Sequence, residues 1–371
     1  MILRVLAVVI ALVLSPRLHA ASPIDRPSQP VLDRTMDQDD AYFKTDEARC
    51  IVDNIASWQN DNGGWWKAYD PAIPRPADIA PAAAHLADAN DQTNDWLKTS
   101  TFDNGATISE MRILARAHRL TGDPKSAQSF ERGMKFIFDS QYPHGGWPQR
   151  FPLEDNYGRL ITFNDRLMVN ILELLRDVAE GKEDFAFISQ EQRQRAKEAF
   201  DRGIDAILKC QIQGKDGSLT AWCQQHDEKT FAPAKARSYE LPSISAFESA
   251  DITLLLMRLE NPDERVRKAI EGAVAWYEKT RITGKRYDKT LDANGKTTDR
   301  VLSDDPSGVL WARFYDLETG RPFFANRDGT KTENYSEVLQ ERRAGYMWFG
   351  PFGQKVLAEY PKWKQRVGGQ S

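Results

Sequence analysis

From Asp46 onward, apolar residues recur mostly at helical spacing. Ile108, Met111, Leu114 and Ala115 mark one face, which stops at Gly122-Asp123-Pro124, and Phe130, Met134, Ile137 and Phe138 mark the next. Further faces come from Leu167, Ile171, Leu174, Leu175 and Val178, from Ala196, Phe200, Ile204 and Leu208, and from Ile252, Leu255 and Leu256 followed by Val266, Ile270 and Val274. Gly and Pro turns between these segments predict successive helical hairpins. A weak repeat supports them: Ile55-Ala56-Ser57-Trp58-Gln59 precedes Gly63-Gly64-Trp65, Ile137-Phe138-Asp139-Ser140-Gln141 precedes Gly145-Gly146-Trp147, and Ile207-Leu208-Lys209-Cys210-Gln211 precedes Asp216-Gly217 with Trp222 close behind. Each helix ends in Gln, then a glycine turn, then an aromatic. Hairpins that bury their faces against neighbours stack side by side and can close into an (α/α) toroid.

The last third differs. Asp288 to Gly308 is rich in Asp, Gly, Lys and Thr and reads as loop, whereas Val309–Tyr315 and Arg321–Ala325 read as extended. The expected fold class is all-α, an (α/α) toroid with a C-terminal layer of loops and short strands. Residues 42–371 form its single domain.

The N-terminal pattern changes the picture at one end only. Met1-Ile2-Leu3-Arg4, the apolar run from Val5 to Leu14 and Leu18-His19-Ala20 predict a signal peptide over residues 1–20. Pro23, Pro27 and Pro30 among polar neighbours predict a flexible lead-in over residues 21–41. That makes the protein secreted or periplasmic, with no membrane span after signal removal, since no other apolar run is long enough. With 50 basic and 54 acidic residues the formal net charge is −4, which excludes a global field that would recruit nucleic acid. Any anion site must be local. Among three cysteines, Cys210 and Cys223 are spaced for a possible bridge that spacing alone does not fix, and Cys50 is expected as a buried thiol on a helix.

Candidate chemistry gathers at helix entrances. Asp103 and Asn104 stand before one helix and Asp165 at the start of another, so each is also a natural N-cap. Both open corresponding helices of the repeat, which would set them at one end of the stack. Oxygen-only ligands there suit calcium better than zinc. Arg237 lies in a third loop of this kind, Arg313 alternates with Trp311 and Tyr315, and Arg327 precedes Asp328-Gly329. Each arginine has a plain reading as well: a solvated patch, a stack between aromatics, a local ion pair.

The segments Asp61-Asn62-Gly63-Gly64-Trp65, Asp103-Asn104-Gly105-Ala106-Thr107, Gly145-Gly146-Trp147-Pro148-Gln149, Ile161-Thr162-Phe163-Asn164-Asp165, Ala236-Arg237-Ser238-Tyr239-Glu240, Trp311-Ala312-Arg313-Phe314-Tyr315 and Arg327-Asp328-Gly329 occur in this order through nearly the whole chain. Together they resemble family 10 pectate lyases. The resemblance implies an (α/α) toroid, active as a monomer, that cleaves polygalacturonate by calcium-dependent β-elimination. It implies Arg237 as the catalytic base, Arg313 and Arg327 as binders of substrate carboxylates with Arg300 as a further basic contact, and Asp103, Asn104 and Asp165 as the acidic and metal-binding positions. Two departures stand out: Trp66 where the family pattern has proline, and Arg166, a cation beside the expected metal ligand. An arginine base also conflicts with the ordinary rule that guanidinium stays protonated. Two other readings stay open: an (α/α) glycoside hydrolase with Asp103 and Asp165 as acid and base, and a non-catalytic pectin-binding protein.

Overall fold

A computed structural model describes residues 27–79 and 99–369. The expected signal peptide lies outside the described residues. Within the expected flexible lead-in, Gln29–Met36 form helix α1, with Leu32 buried. The other helices are α2 (Asp46–Ser57), α3 (Ile108–Thr121), α4 (Pro124–Ser140), α5 (Leu167–Glu180), α6 (Gln190–Cys210), α7 (Ala246–Met257), α8 (Glu264–Thr280), α9 (Gln340–Gly345) and α10 (Gln354–Gly368). They pack in two rows. In one, α3, α5 and α7 lie side by side, flanked by α1 on α3 and α10 on α7; in the other, α4 packs on α2 and α8 on α6. Hairpins α3–α4, α5–α6 and α7–α8 join the rows.

The sequence repeat has a hydrogen-bonding basis. Trp65, Trp147 and Trp222 are buried plugs whose indole Nε1 groups donate to the carbonyls of Ile55, Ile137 and Ile207 at 2.8, 2.8 and 2.7 Å. The glutamines that end the preceding helices reach sideways instead. Gln59, Gln141 and Gln211 donate through Nε2 to the carbonyls of Ser129, Ala199 and Ala269, each at 2.8 Å. Those carbonyls belong to α4, α6 and α8, so each hairpin is stapled to the next. Trp311, donating to Tyr277 O at 2.8 Å, is a fourth plug that the sequence pattern did not disclose. Gly145 follows from the same packing: its φ is +90°, and a Cβ there would sit 2.0 Å from Arg202 O. Gly145→Ala is expected to lower stability by about 3 kcal/mol, measurable as a drop in Tm.

The all-α expectation is wrong: the fold is about 48% helical with 15% strand in several sheets. Strands β1 (Ser100–Thr101) and β2 (Arg150–Phe151) pair, as do β3 (Ile161–Thr162) and β4 (Gln225–His226). Strand β5 (Ile244–Ser245) is one edge of a sheet, and β6 (Ile282–Leu291) and β7 (Thr297–Ala312) form a long antiparallel hairpin. The sheet of β5 continues through β8 (Phe314–Tyr315), β9 (Pro322–Ala325) and β10 (Lys331–Thr332), and β11 (Phe349–Gly350) pairs with the end of β7. The hairpin occupies the stretch read as loop. Most of its residues are at least partly exposed, so no apolar face alternates with a polar one to announce a strand. Its turn did leave a mark in Asn294-Gly295, where Gly295 takes φ +78°.

All three cysteines are free thiols; Cys210 and Cys223 are buried without a bridge, and Cys50 is exposed rather than buried. No helix among the described residues is long and apolar enough to cross a membrane.

Candidate active site

Strands β1, β3 and β5 lead into α3, α5 and α7 and hold their N-terminal ends at one side of the molecule. The first two entrances are conformational copies. Buried Phe102 and Phe163 open single 3₁₀ turns, followed by left-handed residues at Asn104 (φ 53°) and Asp165 (φ 51°). Asn and Asp tolerate that region better than most side chains. Asp103 therefore corresponds to Asn164, Asn104 to Asp165, and Gly105 to Arg166, which is also left-handed. Capping does not explain the acids. The N-cap residues are Thr107 and Arg166, and neither cap position is closed by a side-chain hydrogen bond.

The two carboxylates differ. Asp103 is already satisfied: Lys67 Nζ donates to Oδ2, and Gln149 Nε2 donates to Oδ1 at 3.1 Å. Asp165 accepts one hydrogen bond among the described residues, from Asn164 Nδ2 at 2.7 Å. Burial pushes its pKa up to about 6, with the negative charges of Asp103 and Glu248 adding to the shift and Arg313 and Arg237 opposing it. Contacts bring Asp103, Asp165, Arg237 and Arg313 together from four distant segments: the turns of Asp103 and Asp165 pack on each other, Gln224 donates both to Asn164 and to Glu240, the partner of Arg237, and Tyr346 donates to Glu240 and stacks on Arg313. Arg166 turns away, pairing with Asp251 and, at 3.3 Å, with Glu173, so it does not neutralise its neighbour Asp165.

Arg237 is half-exposed and gripped from one side. Its backbone N and Nε donate to Glu240 Oε2 at 3.2 and 2.7 Å, and Nη2 donates to Oε1. Glu240 is 3% exposed and also accepts from Tyr346 Oη at 3.0 Å and from Gln224 Nε2 at 3.2 Å. The same Gln224 Nε2 donates to Asn164 Oδ1, tying the Arg237 loop to the Asp165 loop. Burial lowers the Arg237 pKa, but the hydrogen bond and charge of Glu240 outweigh it and hold the guanidinium above its ordinary range.

Arg313 is almost wholly buried. Its Nη2 donates to Glu248 Oε1 at 2.5 Å, and its guanidinium stacks on Phe247 and Tyr346 at 4.6 and 4.7 Å from the ring centroids. Its Nε is buried without a partner among the described residues. Arg327 is largely exposed, paired with Glu341 at 2.5 Å, while its carbonyl accepts from Ser238 Oγ beside Arg237. Arg300 is not brought into this group: from β7 its Nη1 donates to Ala344 O and Tyr346 O at 2.9 and 3.0 Å, supporting the segment that carries Tyr346.

Sequence reasoning missed Lys67, Gln149, Gln224, Glu248 and Arg342, the last buried and stacked on Tyr239 at 4.6 Å, and read Glu240 only as an ordinary ion-pair partner of Arg237. The repeat held a signal for some of them. Lys67, Gln149, Gln224 and Arg313 each stand two residues after a plug tryptophan, and each donates to an acid or amide of the site: Asp103, Asp103, Asn164 with Glu240, and Glu248. The buried indole fixes the segment, and in each case the second residue along reaches the site.

A family model described as pectic acid lyase matches residues 59–357. A solved family 10 polysaccharide lyase from Cellvibrio cellulosa is 31% identical, with 93% of this chain and 97% of that chain covered and a TM-score of 0.73. An aspartate-to-alanine variant of the Cellvibrio cellulosa family 10 lyase, solved in complex with trigalacturonic acid, is 31% identical over 91% of this chain and 97% of that one, with a TM-score of 0.74. No curated protein matches.

Proposed function

Since the chain belongs to the pectic acid lyase family and is a pectate lyase, we propose that it cleaves the α-1,4 links of polygalacturonate by calcium-dependent β-elimination, with Arg237 as base and 4,5-unsaturated oligogalacturonates as products. The observation that carries this reading is the hydrogen-bond chain that joins Arg237 through Glu240 and Gln224 to Asn164, the neighbour of Asp165, with Tyr346 linking Glu240 to the stacked Arg313. The trigalacturonic acid held by the similar solved lyase supports the substrate. Family membership sets aside both the hydrolase and the non-catalytic reading.

The residues present suit a hard cation. Asp165 is a half-buried carboxylate with spare acceptor capacity, pressed by the charges of Asp103 and Glu248, and Asn104 lies at the corresponding position of the neighbouring turn. Among the described residues no group of three His, Cys, Asp or Glu side chains closes round one point, so ligands beyond Asp165 and Asn104 would include oxygens of the substrate. Asp103, occupied by Lys67 and Gln149, would shape the field more than coordinate. When bound there, calcium would neutralise the carboxylate next to C5 and so acidify the C5 proton.

The rest falls to the chain. Arg313, with its free Nε, and exposed Arg327 pair with substrate carboxylates and hold the sugar in register. Arg237 takes the C5 proton, the C5–H electrons form the C4–C5 double bond, and the C4 oxygen leaves with the departing chain. Because Glu240 holds Arg237 protonated, the neutral fraction is small near neutrality. The rate is therefore expected to rise about tenfold per pH unit through the alkaline range, until the enzyme loses its fold. The test follows ultraviolet absorbance of the unsaturated product on polygalacturonate, with calcium or with chelator, across pH. An optimum below about pH 6, where carboxylates and histidine titrate, would remove Arg237 as base. Its polymeric substrate and the predicted leader support export, which fractionation of expressing cells would test.

A further inference from the structure

Arg237 makes two side-chain hydrogen bonds to Glu240, through Nε and Nη2, and these use one edge of the guanidinium. Nη1 lies on the opposite side of that fork. We propose that Glu240 is the positioning residue of Arg237: it keeps Nε protonated and presents the outer edge of the guanidinium, led by Nη1, as the side that loses a proton and meets the substrate. The proposal rests on the reading of Arg237 as base and deepens it.

The chemistry is consistent with this division. A neutral guanidine keeps four N–H bonds and one imine nitrogen. If the imine were Nε, its lone pair would point at a carboxylate oxygen of Glu240 and a hydrogen bond would become a repulsion; Nη2 could lose only its outer proton, since the other is held by Glu240. With the imine at Nη1, both donors to Glu240 survive deprotonation. The Nη1 lone pair accepts the C5 proton, the C5–H pair becomes the new double bond, and the C4–O pair departs with the leaving sugar, which takes a proton from solvent. Arg237 then returns its extra proton to solvent.

The clamp is itself held. Glu240 is fixed by Tyr346 Oη, by Gln224 and by the Arg237 backbone N–H, so it cannot follow the guanidinium if that swings. The charged and titratable groups round Arg237 are Glu240, the phenols of Tyr239 and Tyr346 and the carboxylate of Asp165. Beyond the two phenols stand Arg342, stacked on Tyr239, and Arg313, stacked on Tyr346. Glu240 alone among them makes a fork of hydrogen bonds with Arg237. The arrangement trades readiness for strength: the carboxylate makes Arg237 a stronger base and a rarer one.

Glu240→Gln separates these effects. A glutamine keeps the volume but replaces one acceptor with a donor and removes the charge that holds the proton on Arg237. The kcat in the alkaline range is expected to fall at least tenfold with KM changed less than about threefold, while the rise of kcat/KM with pH, which in the wild type runs on until the enzyme unfolds, bends over at least one unit below that point. A bend that does not move, whatever happens to kcat, assigns Glu240 a merely structural role and overturns the proposal, as does an unchanged kcat. Glu240→Asp provides a second arm that holds if the glutamine variant does not fold: it keeps the charge but withdraws the fork by one methylene, so kcat should fall with the bend unmoved. Wild-type kcat in that variant overturns the proposal as well. Arg237→Lys, measured alongside, isolates the underlying reading: near-wild-type activity there removes the base itself, whereas an inactive lysine variant with indifferent Glu240 variants removes only the clamp.

Discussion

Arg237→Lys is expected to reduce the rate of elimination by about 10³-fold or more at any pH up to 10, with the fold intact. Lysine keeps a positive charge and much of the reach, so a role limited to electrostatic attraction would survive the change. What it cannot keep is the division of labour within the guanidinium. One nitrogen cannot both donate to Glu240 at the positions now taken by Nε and Nη2 and present a lone pair to substrate. The measurement is the initial rate of unsaturated product at saturating calcium, with circular dichroism and Tm as controls. Activity within tenfold of wild type would take Arg237 out of the proton transfer. Arg313→Lys provides the contrast. That side chain is buried against Glu248 and between two aromatic rings, and lysine would retain the ion pair but lose the planar stack. Its effect should fall mainly on KM.

The difference between these arginines marks what the sequence could disclose. The helical hairpins, their order and the repeat that staples them were legible because glutamine, glycine and tryptophan recur at fixed intervals, and each has a job in the backbone that no exposed position imposes. The two entrance loops were legible for the same reason, and the copied left-handed turns at Asn104 and Asp165 explain why an Asp-Asn pair and an Asn-Asp pair occupy equivalent places. The long hairpin from Ile282 to Ala312 was not, because strands exposed on both faces carry no alternation and their polar composition imitates a loop. Arg300 entered only through the family resemblance, and its partners, two backbone carbonyls, left no mark in the sequence. Glu248 was hidden in the opposite way: nothing in its own segment marked it, and its role depends on Arg313, which only folding brings within reach.

Asp165→Asn is expected to raise the calcium concentration needed for half-maximal activity at least tenfold, and to weaken calcium binding measured by calorimetry without substrate. Asparagine suits the left-handed backbone at this position about as well as aspartate, so the change removes a charge without introducing strain. Stability should move the other way. The Asp165 pKa in the fold is about 6, raised from 3.8, so the stability it contributes is fully present below the lower value and lost as pH rises through the higher one. At pH 8 in the absence of calcium the ionised carboxylate is therefore a cost, and the asparagine variant should melt at the same temperature or a few degrees higher. An N-terminal cap would give the reverse result: about 1 kcal/mol lost from the fold and an unchanged calcium titration. Asp103→Asn supplies the internal comparison. Its oxygens already accept from Lys67 and Gln149, so the substitution removes the negative charge that faces Lys67 Nζ and should lower Tm while moving the calcium midpoint less than the change at Asp165. If the two variants shift the midpoint equally, the distinction between a ligand and a satisfied neighbour fails, and both acids act on the metal.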